Sequence, residues 1–193
     1  LVGGEKLNAH NVFKLLRSKN APTHFINGYG PTEGTTFTTL SNIKVIEASQ
    51  DVPIGKPLYN RTCYILNSAL IPMPIGPIGE LYIGGEGLAR GYLNQPGLTA
   101  EKFIKNPFQS LDEKALGNNG KLYKTGDLVR CLADGNMLYI GRQDDQIKLR
   151  GYRVELEEIE QVLTRFRHIS QSAAAVKSHE GFSSGHKILI GYY

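Results

Sequence analysis

Glycine and proline interrupt the chain at short intervals, and this limits the length of the helices and strands that it can form. The 193 residues include 22 glycines and 9 prolines, more than a helical bundle tolerates. With 40% hydrophobic and 21% charged residues, the composition is that of a folded protein and excludes intrinsic disorder. The chain is therefore expected to be a turn-rich α/β or α+β protein.

Residues 1–52 have the pattern of a parallel α/β layer. An apolar stretch that ends in two glycines predicts a buried strand at the start, and Asn8 can cap the helix that follows. A second strand is predicted at residues 23–26, followed by a glycine-rich loop at residues 27–36. Strand, helix, strand and loop in this order are typical of α/β folds, in which ligands bind at the carboxyl ends of the strands.

The pattern changes over residues 53–143, where short β-type runs alternate with turn residues and predict a small antiparallel barrel or sandwich. These runs lie at residues 62–66, 80–83, 123–129 and 137–140. Asp134 and Gly135 are a hairpin signal between the last two runs. The polar stretch at residues 109–120 is predicted to be an exposed loop. The run GLARGY at residues 87–92 combines turn formers with an arginine and a tyrosine, which is hard to explain as a linker.

Residues 144–193 predict a small α+β unit. Two short strands flank Gly151, an amphipathic helix is predicted over residues 155–166, and two further strands over residues 173–176 and 188–193. The chain has no initiator Met, begins within an apolar run and ends inside a predicted strand, so we expect it to be part of a longer protein.

Charge and cysteine patterns exclude several functional classes. The 22 basic and 18 acidic side chains give a net charge of +4, but the basic residues are dispersed, so no nucleic-acid partner is expected. There is no run of about 18 apolar residues and no signal peptide, so we expect no membrane association and a cytoplasmic location. Cys63 and Cys131 are far apart and lack ligand neighbours, which disfavours a zinc site or a disulfide.

Three charged residues stand in motifs that could carry chemistry. Glu33, in YGPTEGTT, could hold a phosphate-bound Mg²⁺, or it could cap the next element, which the residue types alone favour. Asp127, in YKTGDLV, could accept two hydrogen bonds from a vicinal diol such as a ribose, or bond its own turn. Arg142 could contact a phosphate or a sugar, or it could pair with Asp144 or Asp145.

Four motifs taken together resemble a known family. They are NGYGPTE at residues 27–33, GELYIGGEGLARGYLNQPGLTAEKF at 79–103, YKTGDLV at 123–129 and GRQDDQIKLRGYRVELEEIE at 141–160. In order and spacing they resemble the later core motifs of nonribosomal peptide synthetase adenylation domains, in the acyl-adenylate-forming, or AMP-binding, superfamily. The resemblance implies a partial fold of that superfamily: the end of the α/β core subdomain at 1–52, a distorted antiparallel β-barrel at 53–143, a hinge, and the start of a mobile C-terminal α+β domain at 144–193.

The resemblance also implies a reaction in two halves. An amino-acid carboxylate attacks the α-phosphate of ATP with the help of Mg²⁺, giving an aminoacyl-AMP and pyrophosphate, and a phosphopantetheine thiol on a carrier domain then takes the acyl group. The implied partners are a peptidyl carrier domain and a condensation domain of the same synthetase, as in antibiotic biosynthesis. The family's phosphate-binding loop, ammonium-binding aspartate and final lysine are not in this sequence, so the chain alone is expected to be inactive.

Matching residues to the family's motifs implies their roles. Tyr29 would stack on adenine, Asp127 would bind both ribose hydroxyls, and Arg142 would lie near the ribose or phosphate. Glu33 would act in catalysis by holding Mg²⁺. The remaining nucleotide-binding positions implied by the resemblance are Asn27, Gly28, Thr32 and Tyr139.

Further positions are implied for the hinge, the second half-reaction and the substrate pocket. Asp144 matches the hinge, and Lys148 and Gly151 match the loop that reaches the active site for the second half-reaction, with Lys148 as a catalytic residue. The specificity positions match Leu1, Gly3, Gly28, Thr36 and Phe37. Two glycines would leave room and the other side chains would form a mainly apolar wall, so a valine-like amino acid is the expected substrate.

Two other functions stay open at this point. The chain could belong to another adenylate-forming ligase, one that activates an aryl or acyl acid or forms a CoA ester. It could also be a non-catalytic fragment that binds a nucleotide or docks a carrier domain. ATP–pyrophosphate exchange with a panel of acids separates these alternatives.

Overall fold

The computed structural model divides the chain into two compact units, Leu1–Gln143 and Asp144–Tyr193. The structure describes residues 1–144, 146–149, 152–178 and 187–193. None of the helices formed by these residues has the length and apolar character needed to cross a membrane.

A small α/β layer opens the first unit. Its sheet consists of strands β1 (Val2–Gly3), β2 (Ile26–Tyr29), β3 (Thr39–Asn42) and β4 (Lys56–Pro57), in that order. β1 and β2 are parallel, and the helix α1 (Ala9–Leu16) lies between them in the chain, which confirms the predicted α/β arrangement. β3 and β4 continue the sheet antiparallel. As expected, the Asn8 side chain caps α1, accepting a hydrogen bond from the Asn11 N–H at 3.1 Å.

Strand β2 corrects the sequence-based boundaries. The strand was expected at residues 23–26 and a loop from residue 27, whereas Asn27, Gly28 and Tyr29 are strand residues. These three residues are buried and pair with β1 or β3. A buried backbone must satisfy its hydrogen bonds, and this requirement overrides the low strand propensity of asparagine and glycine.

The second part of the first unit is an antiparallel sheet, which agrees with the antiparallel pairing of the predicted barrel or sandwich, but the strand pairing among the described residues does not close it into a barrel. Its strands are β5 (Arg61–Leu66), β6 (Ile78–Gly85), β7 (Phe103–Lys105), β8 (Lys121–Cys131) and β9 (Met137–Arg142). The order is β5-β6-β8-β7, with β9 also paired to β8. The predicted hairpin at Asp134 and Gly135 joins β8 to β9, and the Gly135 N–H donates to the Leu132 carbonyl at 2.9 Å.

The side chains of β6 and β8 alternate between the two faces of the sheet and form an apolar cluster on each face. Leu81, Ile83, Tyr123 and Val129 belong to the larger cluster, and each is at most 2% exposed. Tyr82 belongs to the smaller cluster, because successive side chains of a strand point to opposite faces. β8 is therefore a strand fixed on both faces, and it carries one of the candidate site residues.

Two short helices, α2 (Pro96–Lys102) and α3 (Leu111–Leu116), lie in the connections of this sheet. The prediction of an exposed loop over residues 109–120 was wrong, because α3 lies there. A capping box starts α3: the Ser110 hydroxyl accepts from the Glu113 N–H at 3.1 Å, and the Glu113 carboxylate accepts from the Ser110 N–H at 2.7 Å. Gly117, with a left-handed φ of 71°, ends the helix.

The second unit has the predicted α+β order. β10 (Ile147–Leu149) and β11 (Tyr152–Val154) form an antiparallel pair, and helix α4 (Leu156–Thr164) follows. β12 (Ala173–Ser178) and β13 (Lys187–Tyr192) form a second antiparallel pair.

Candidate functional site

Asp127 lies at a bulge in β8. On β6 a single residue, Leu81, faces three residues of β8, namely Thr125, Gly126 and Asp127. Gly126 has a positive φ of 72°, a conformation that favours glycine. Bulges redirect side chains and are common beside functional sites. The carboxylate of Asp127 is thereby placed within hydrogen-bond reach of Tyr29 in β2.

Both oxygens of the Asp127 carboxylate accept hydrogen bonds. The Tyr29 hydroxyl donates to Oδ2, and Nη1 of Arg142 donates to Oδ1 at 2.7 Å. Arg142 is the cross-strand neighbour of Asp127 on β9. Asp127 is 5% exposed and Tyr29 is 8% exposed, so the carboxylate depends on these partners in place of water.

A second aromatic ring lies beside Tyr29. The ring centroids of Tyr29 and Tyr139 are 6.5 Å apart, and the rings are tilted by 36°. Burial, and then the negative charge of Asp127, raise the pKa of Tyr29 well above its ordinary value, so its hydroxyl stays a donor. The structure therefore brings together four of the predicted nucleotide-binding residues, Tyr29, Asp127, Tyr139 and Arg142, which we call the Asp127 cluster.

Glu33 lies in a short 3-10 helix (Thr32–Gly34) between β2 and β3. It is 6% exposed, and its Oε1 accepts a hydrogen bond from the Tyr92 hydroxyl at 2.6 Å. The hydroxyl oxygens of Tyr92 and Tyr123 are 3.3 Å apart. Burial, and then the hydrogen bond with Tyr92, raise the pKa of Tyr123 well above its ordinary value. Tyr123 therefore stays neutral, and its hydroxyl lies next to that of Tyr92 beside the carboxylate.

The GLARGY segment, residues 87–92, holds the backbone of the Glu33 loop. The Ala89 N–H donates to the Glu33 carbonyl at 2.7 Å, and the Thr35 hydroxyl donates to the Gly87 carbonyl at 2.7 Å. Thr35 has a positive φ of 55°, which is uncommon for a residue other than glycine. Such a backbone persists when the surroundings fix it, and this segment supplies the contacts.

The donor set around Glu33 fits a magnesium ion bound together with a substrate phosphate. In the part of the chain that the structure describes, no group of three or more His, Cys, Asp or Glu side chains could hold a metal. A single carboxylate cannot enclose a cation alone. Mg²⁺ is commonly held by one or two carboxylates with phosphate oxygens and water completing its coordination, so Glu33 suits that role.

A cavity of about 630 Å³ lies beside the same loop, within the range of small-molecule sites. Its lining includes all five predicted substrate positions and two predicted nucleotide positions, of which Gly28 is in both sets: Leu1, Gly3, Gly28, Thr32, Thr36 and Phe37. A Cβ at Gly28 would lie 2.6 Å from the Phe37 ring, and a Cβ at Gly3 would lie 2.3 Å from the Gly28 carbonyl oxygen. The space that a side chain would take is thus filled at both glycines: by the Phe37 ring at Gly28, and by the backbone of the paired strand at Gly3.

Asn27 has a different environment from the other predicted residues. It is buried in β2, and its side-chain amide donates to the Pro53 carbonyl at 2.8 Å. This bond joins β2 to the segment that precedes β4. Asn27 belongs neither to the described lining of the cavity nor to the Asp127 cluster.

The remaining predicted positions belong to the second unit. The Asp144 carboxylate accepts a hydrogen bond from the Gln146 N–H at 3.3 Å. Lys148 lies in β10, where its register partner is Arg153 of β11. Gly151 lies outside the described residues.

Sequence reasoning missed the residues that support Glu33 and Asp127. Tyr92 bonds the Glu33 carboxylate, and the GLARGY run was the available signal for it. Glu80 and Thr125 bond the backbone of the bulge, with Glu80 accepting from the Gly126 N–H and Thr125 from the Asp127 N–H. Neither side chain could be assigned without the bulge, which spacing along the sequence does not reveal.

The chain is similar to known proteins in both sequence and fold. Residues 1–93 match the AMP-binding enzyme family. The chain is 48% identical over 193 residues to a linear gramicidin synthase of Brevibacillus parabrevis, covering 100% of this chain and 4% of that protein. A solved nonribosomal peptide synthetase protein containing adenylation and PCP domains, bound to a vinylsulfonamide inhibitor, matches with a TM-score of 0.84 and 33% identity, over 98% of this chain and 31% of that one. A four-domain nonribosomal peptide synthetase bound to AMP and glycine matches with a TM-score of 0.62 and 37% identity, over 98% of this chain and 13% of that one.

The fold and these matches define the class: the chain belongs to the AMP-binding superfamily of adenylate-forming enzymes. Within that superfamily it belongs with the adenylation domains of nonribosomal peptide synthetases and corresponds to the C-terminal portion of one. The predicted fold class is confirmed by the same structures. The chain spans 4% of the length of the linear gramicidin synthase and 31% of the solved adenylation–PCP chain.

Proposed function

We propose that this chain is part of an amino-acid-activating enzyme of a nonribosomal peptide synthetase. The enzyme uses ATP to form an aminoacyl-AMP and passes the acyl group to a carrier domain. The Asp127 cluster is the observation that carries the proposal, because it joins a buried carboxylate, two aromatic rings and a guanidinium. These groups suit a ribose diol, a purine and a phosphate, and the synthetases matched above are consistent with that ligand.

Asp127 would bind the two ribose hydroxyls. Its oxygens already accept from Tyr29 and Arg142, and in this proposal a ribose hydroxyl takes the place of the Tyr29 hydroxyl. The exchange would release the Tyr29 ring to stack on adenine, with Tyr139 beside it. Arg142 would stay in place, where its positive charge balances that of the buried carboxylate.

Glu33 would hold the magnesium ion that accompanies the phosphates. The Tyr92 hydroxyl, 2.6 Å from Oε1, orients the carboxylate. Bound there, Mg²⁺ would offset negative charge as the amino-acid carboxylate attacks the α-phosphate and the bond to pyrophosphate breaks. Thr32, the residue before Glu33, lines the cavity and would offer its hydroxyl to the same phosphates.

The cavity would hold the side chain of the amino acid. Leu1 and Phe37 provide apolar surface, and Thr36 adds a small side chain. This lining suits a medium aliphatic side chain, and valine is the proposed substrate. One methylene changes binding in such a pocket by about 1–3 kcal/mol, so isoleucine or leucine should react more slowly and still be accepted.

The second unit would serve the thioester-forming half-reaction. The division between Gln143 and Asp144 supports a hinge at Asp144, and Lys148 and Gly151 would act in this second half-reaction. The acyl acceptor would be a phosphopantetheine thiol on a peptidyl carrier domain, with a condensation domain in the same synthetase. In this proposal residues 1–52 and 53–143 are the two subdomains that bind substrates, and residues 144–193 are the moving part.

ATP–pyrophosphate exchange by the adenylation domain that contains this chain tests the proposal. A panel of amino acids, aryl acids and fatty acids is supplied, and exchange is expected to be fastest with valine. Asp127→Asn should raise the KM for ATP at least about tenfold, because a hydrogen bond to a charged group contributes roughly 1.5–3 kcal/mol. Asp112→Asn, at an exposed aspartate in the first turn of α3, is the matched control and should change nothing.

Each outcome of that experiment separates the alternatives. Exchange that depends on an aryl or fatty acid and not on an amino acid would assign the chain to another adenylate-forming ligase. Absence of exchange with every acid, with nucleotide binding retained, would assign it to a non-catalytic protein.

A further inference from the structure

The bulge that carries Asp127 leaves a backbone group in need of an acceptor. Gly126 lies in the stretch of β8 where three residues face only Leu81 on β6. Gly126 is half-buried, and an N–H that is shielded from water and has no partner is costly, so an acceptor must come from outside the regular ladder. Oε1 of Glu80 supplies it, at 3.0 Å from the Gly126 nitrogen.

Glu80 is itself fixed in place. It is 8% exposed, and its Oε2 accepts a hydrogen bond from the Tyr82 hydroxyl at 3.1 Å. Nζ of Lys124 lies 4.0 Å from the same oxygen. Burial, and then the charge of Glu80, raise the pKa of Tyr82 well above its ordinary value, so this hydroxyl remains a donor. One oxygen of the carboxylate thus anchors Glu80, and the other holds the bulge.

The peptide that Glu80 holds sets the direction of the Asp127 side chain. Gly126 immediately precedes Asp127 and has a φ of 72°. Glycine adopts this torsion readily, but it adopts negative φ values as readily, so a further interaction is needed to hold this conformation. An ionised acceptor binds an N–H about twice as strongly as a neutral one, which favours this state over its competitors. The Thr125 hydroxyl, which accepts from the Asp127 N–H at 3.0 Å, supports the same geometry.

We propose that Glu80 is a positioning residue for the ribose contact of Asp127. By holding the Gly126 peptide, it places the Asp127 carboxylate so that it can meet both ribose hydroxyls at once. Glu80 itself does not touch the nucleotide. This inference rests on the proposed function of Asp127.

The test compares nucleotides that differ only in the ribose. In pyrophosphate exchange by the adenylation domain containing this chain, kcat/KM is measured for ATP, 2′-deoxy-ATP and 3′-deoxy-ATP. The unaltered protein should prefer ATP by about ten- to a hundredfold over each deoxy analogue. In Glu80→Ala this preference should fall below about threefold, and the KM for ATP should rise while the KM for the amino acid stays unchanged. Glu80→Gln keeps an oxygen acceptor for Gly126 and should retain most of the preference.

Two further variants complete the design. Tyr82→Phe removes one anchor of Glu80 without removing its carboxylate, so it should reduce the preference partly even if Glu80→Ala does not fold. Glu86→Ala, at an exposed glutamate just beyond the end of β6, is the matched control and should behave like the unaltered protein.

The outcomes that overturn the inference differ from those that overturn the proposed function. If Glu80→Ala and Tyr82→Phe lower the rates with all three nucleotides equally, Glu80 is structural only and the inference is wrong. If the unaltered protein shows no preference for ATP, the ribose contact of Asp127 is wrong instead. In that case amide hydrogen exchange at residues 125–127 still decides whether Glu80 holds the bulge, because exchange should be faster in Glu80→Ala.

Discussion

Asp127 is held by two donors of different character. Arg142 is a permanent cation 2.7 Å from Oδ1, whereas Tyr29 is a neutral phenol with a raised pKa. Removing the arginine would leave a buried carboxylate without its compensating charge, which is costly. Removing the tyrosine bond takes away one neutral donor. Tyr29 is therefore the partner that an incoming hydroxyl can replace at the lower cost.

Tyr29→Phe tests this exchange. The substitution keeps the ring but removes the hydroxyl that competes with the ribose for Asp127. We expect the KM for ATP to fall about three- to tenfold, since the nucleotide no longer has to break that bond. Unfolding should become easier by about 1 kcal/mol, because the free protein loses a buried hydrogen bond.

Pyrophosphate exchange and denaturant unfolding measure the two effects. Tyr59→Phe is the control, since the Tyr59 side chain is exposed. A rise in the KM for ATP in Tyr29→Phe would mean that the hydroxyl helps to hold the nucleotide, which contradicts the exchange.

The sequence motifs were sufficient to identify candidate site residues, but they did not predict which hydrogen bonds those residues make. Tyr29, Asp127 and Arg142 were selected because their motifs resemble a known family. The direct bond between Tyr29 and Asp127, 98 positions apart, depends on two sheets meeting and could not be read from spacing. Glu80 was missed for the same reason, because its role exists only once β8 forms a bulge.

Among the elements, the GLARGY segment has the clearest supporting role. It leads from β6 toward α2, and its backbone bonds the Glu33 loop at Ala89 and Gly87. Tyr92, at its end, donates to the Glu33 carboxylate. One connecting segment thus fixes both the backbone and the side chain of the proposed magnesium ligand.

Tyr92→Phe should make the Glu33 carboxylate less well positioned without creating a cavity in the core. Glu33 would lose a donor at 2.6 Å while the ring of residue 92 keeps its edge-on packing against Phe103. We expect the Mg²⁺ concentration for half-maximal pyrophosphate exchange to rise several-fold and unfolding to ease by about 1 kcal/mol. A magnesium titration at saturating ATP measures the first effect. An unchanged magnesium requirement with lowered stability would limit Tyr92 to a structural role.

The β8–β9 hairpin was predicted from local signals, whereas the extent of β2, which depends on tertiary burial, was not. The β8–β9 hairpin was identified from its alternation and its Asp134-Gly135 turn. β2 extends through Asn27 and Gly28 because neighbouring strands pair with it, which no local propensity indicates. Helix α3 was missed although its capping box is visible in the sequence, because the polar composition was given more weight than the spacing of Ser110 and Glu113.

In the whole molecule, the boundary between the two compact units lies between Gln143 and Asp144. The Gln143 N–H donates to the Gly126 carbonyl at 2.8 Å, within the first unit. The Asp144 carboxylate accepts from the Gln146 N–H at 3.3 Å, within the second. These two hydrogen bonds, made by the neighbouring residues Gln143 and Asp144, thus lie in different units. This supports the proposal that the torsions of Asp144 act as the hinge.

Asp144→Pro tests the hinge, because proline fixes φ near about −65° and removes a backbone N–H. In the proposed function, adenylation uses one arrangement of the units and thioester formation another, so a restricted hinge should affect the two half-reactions unequally. We expect transfer of the amino acid to a holo carrier domain to slow at least about tenfold, while pyrophosphate exchange changes less than about twofold. Asp144→Ala removes the same side chain but leaves φ free, so it should retain transfer. An equal loss of exchange and transfer in Asp144→Pro, or an equal loss of transfer in both variants, would place the hinge elsewhere.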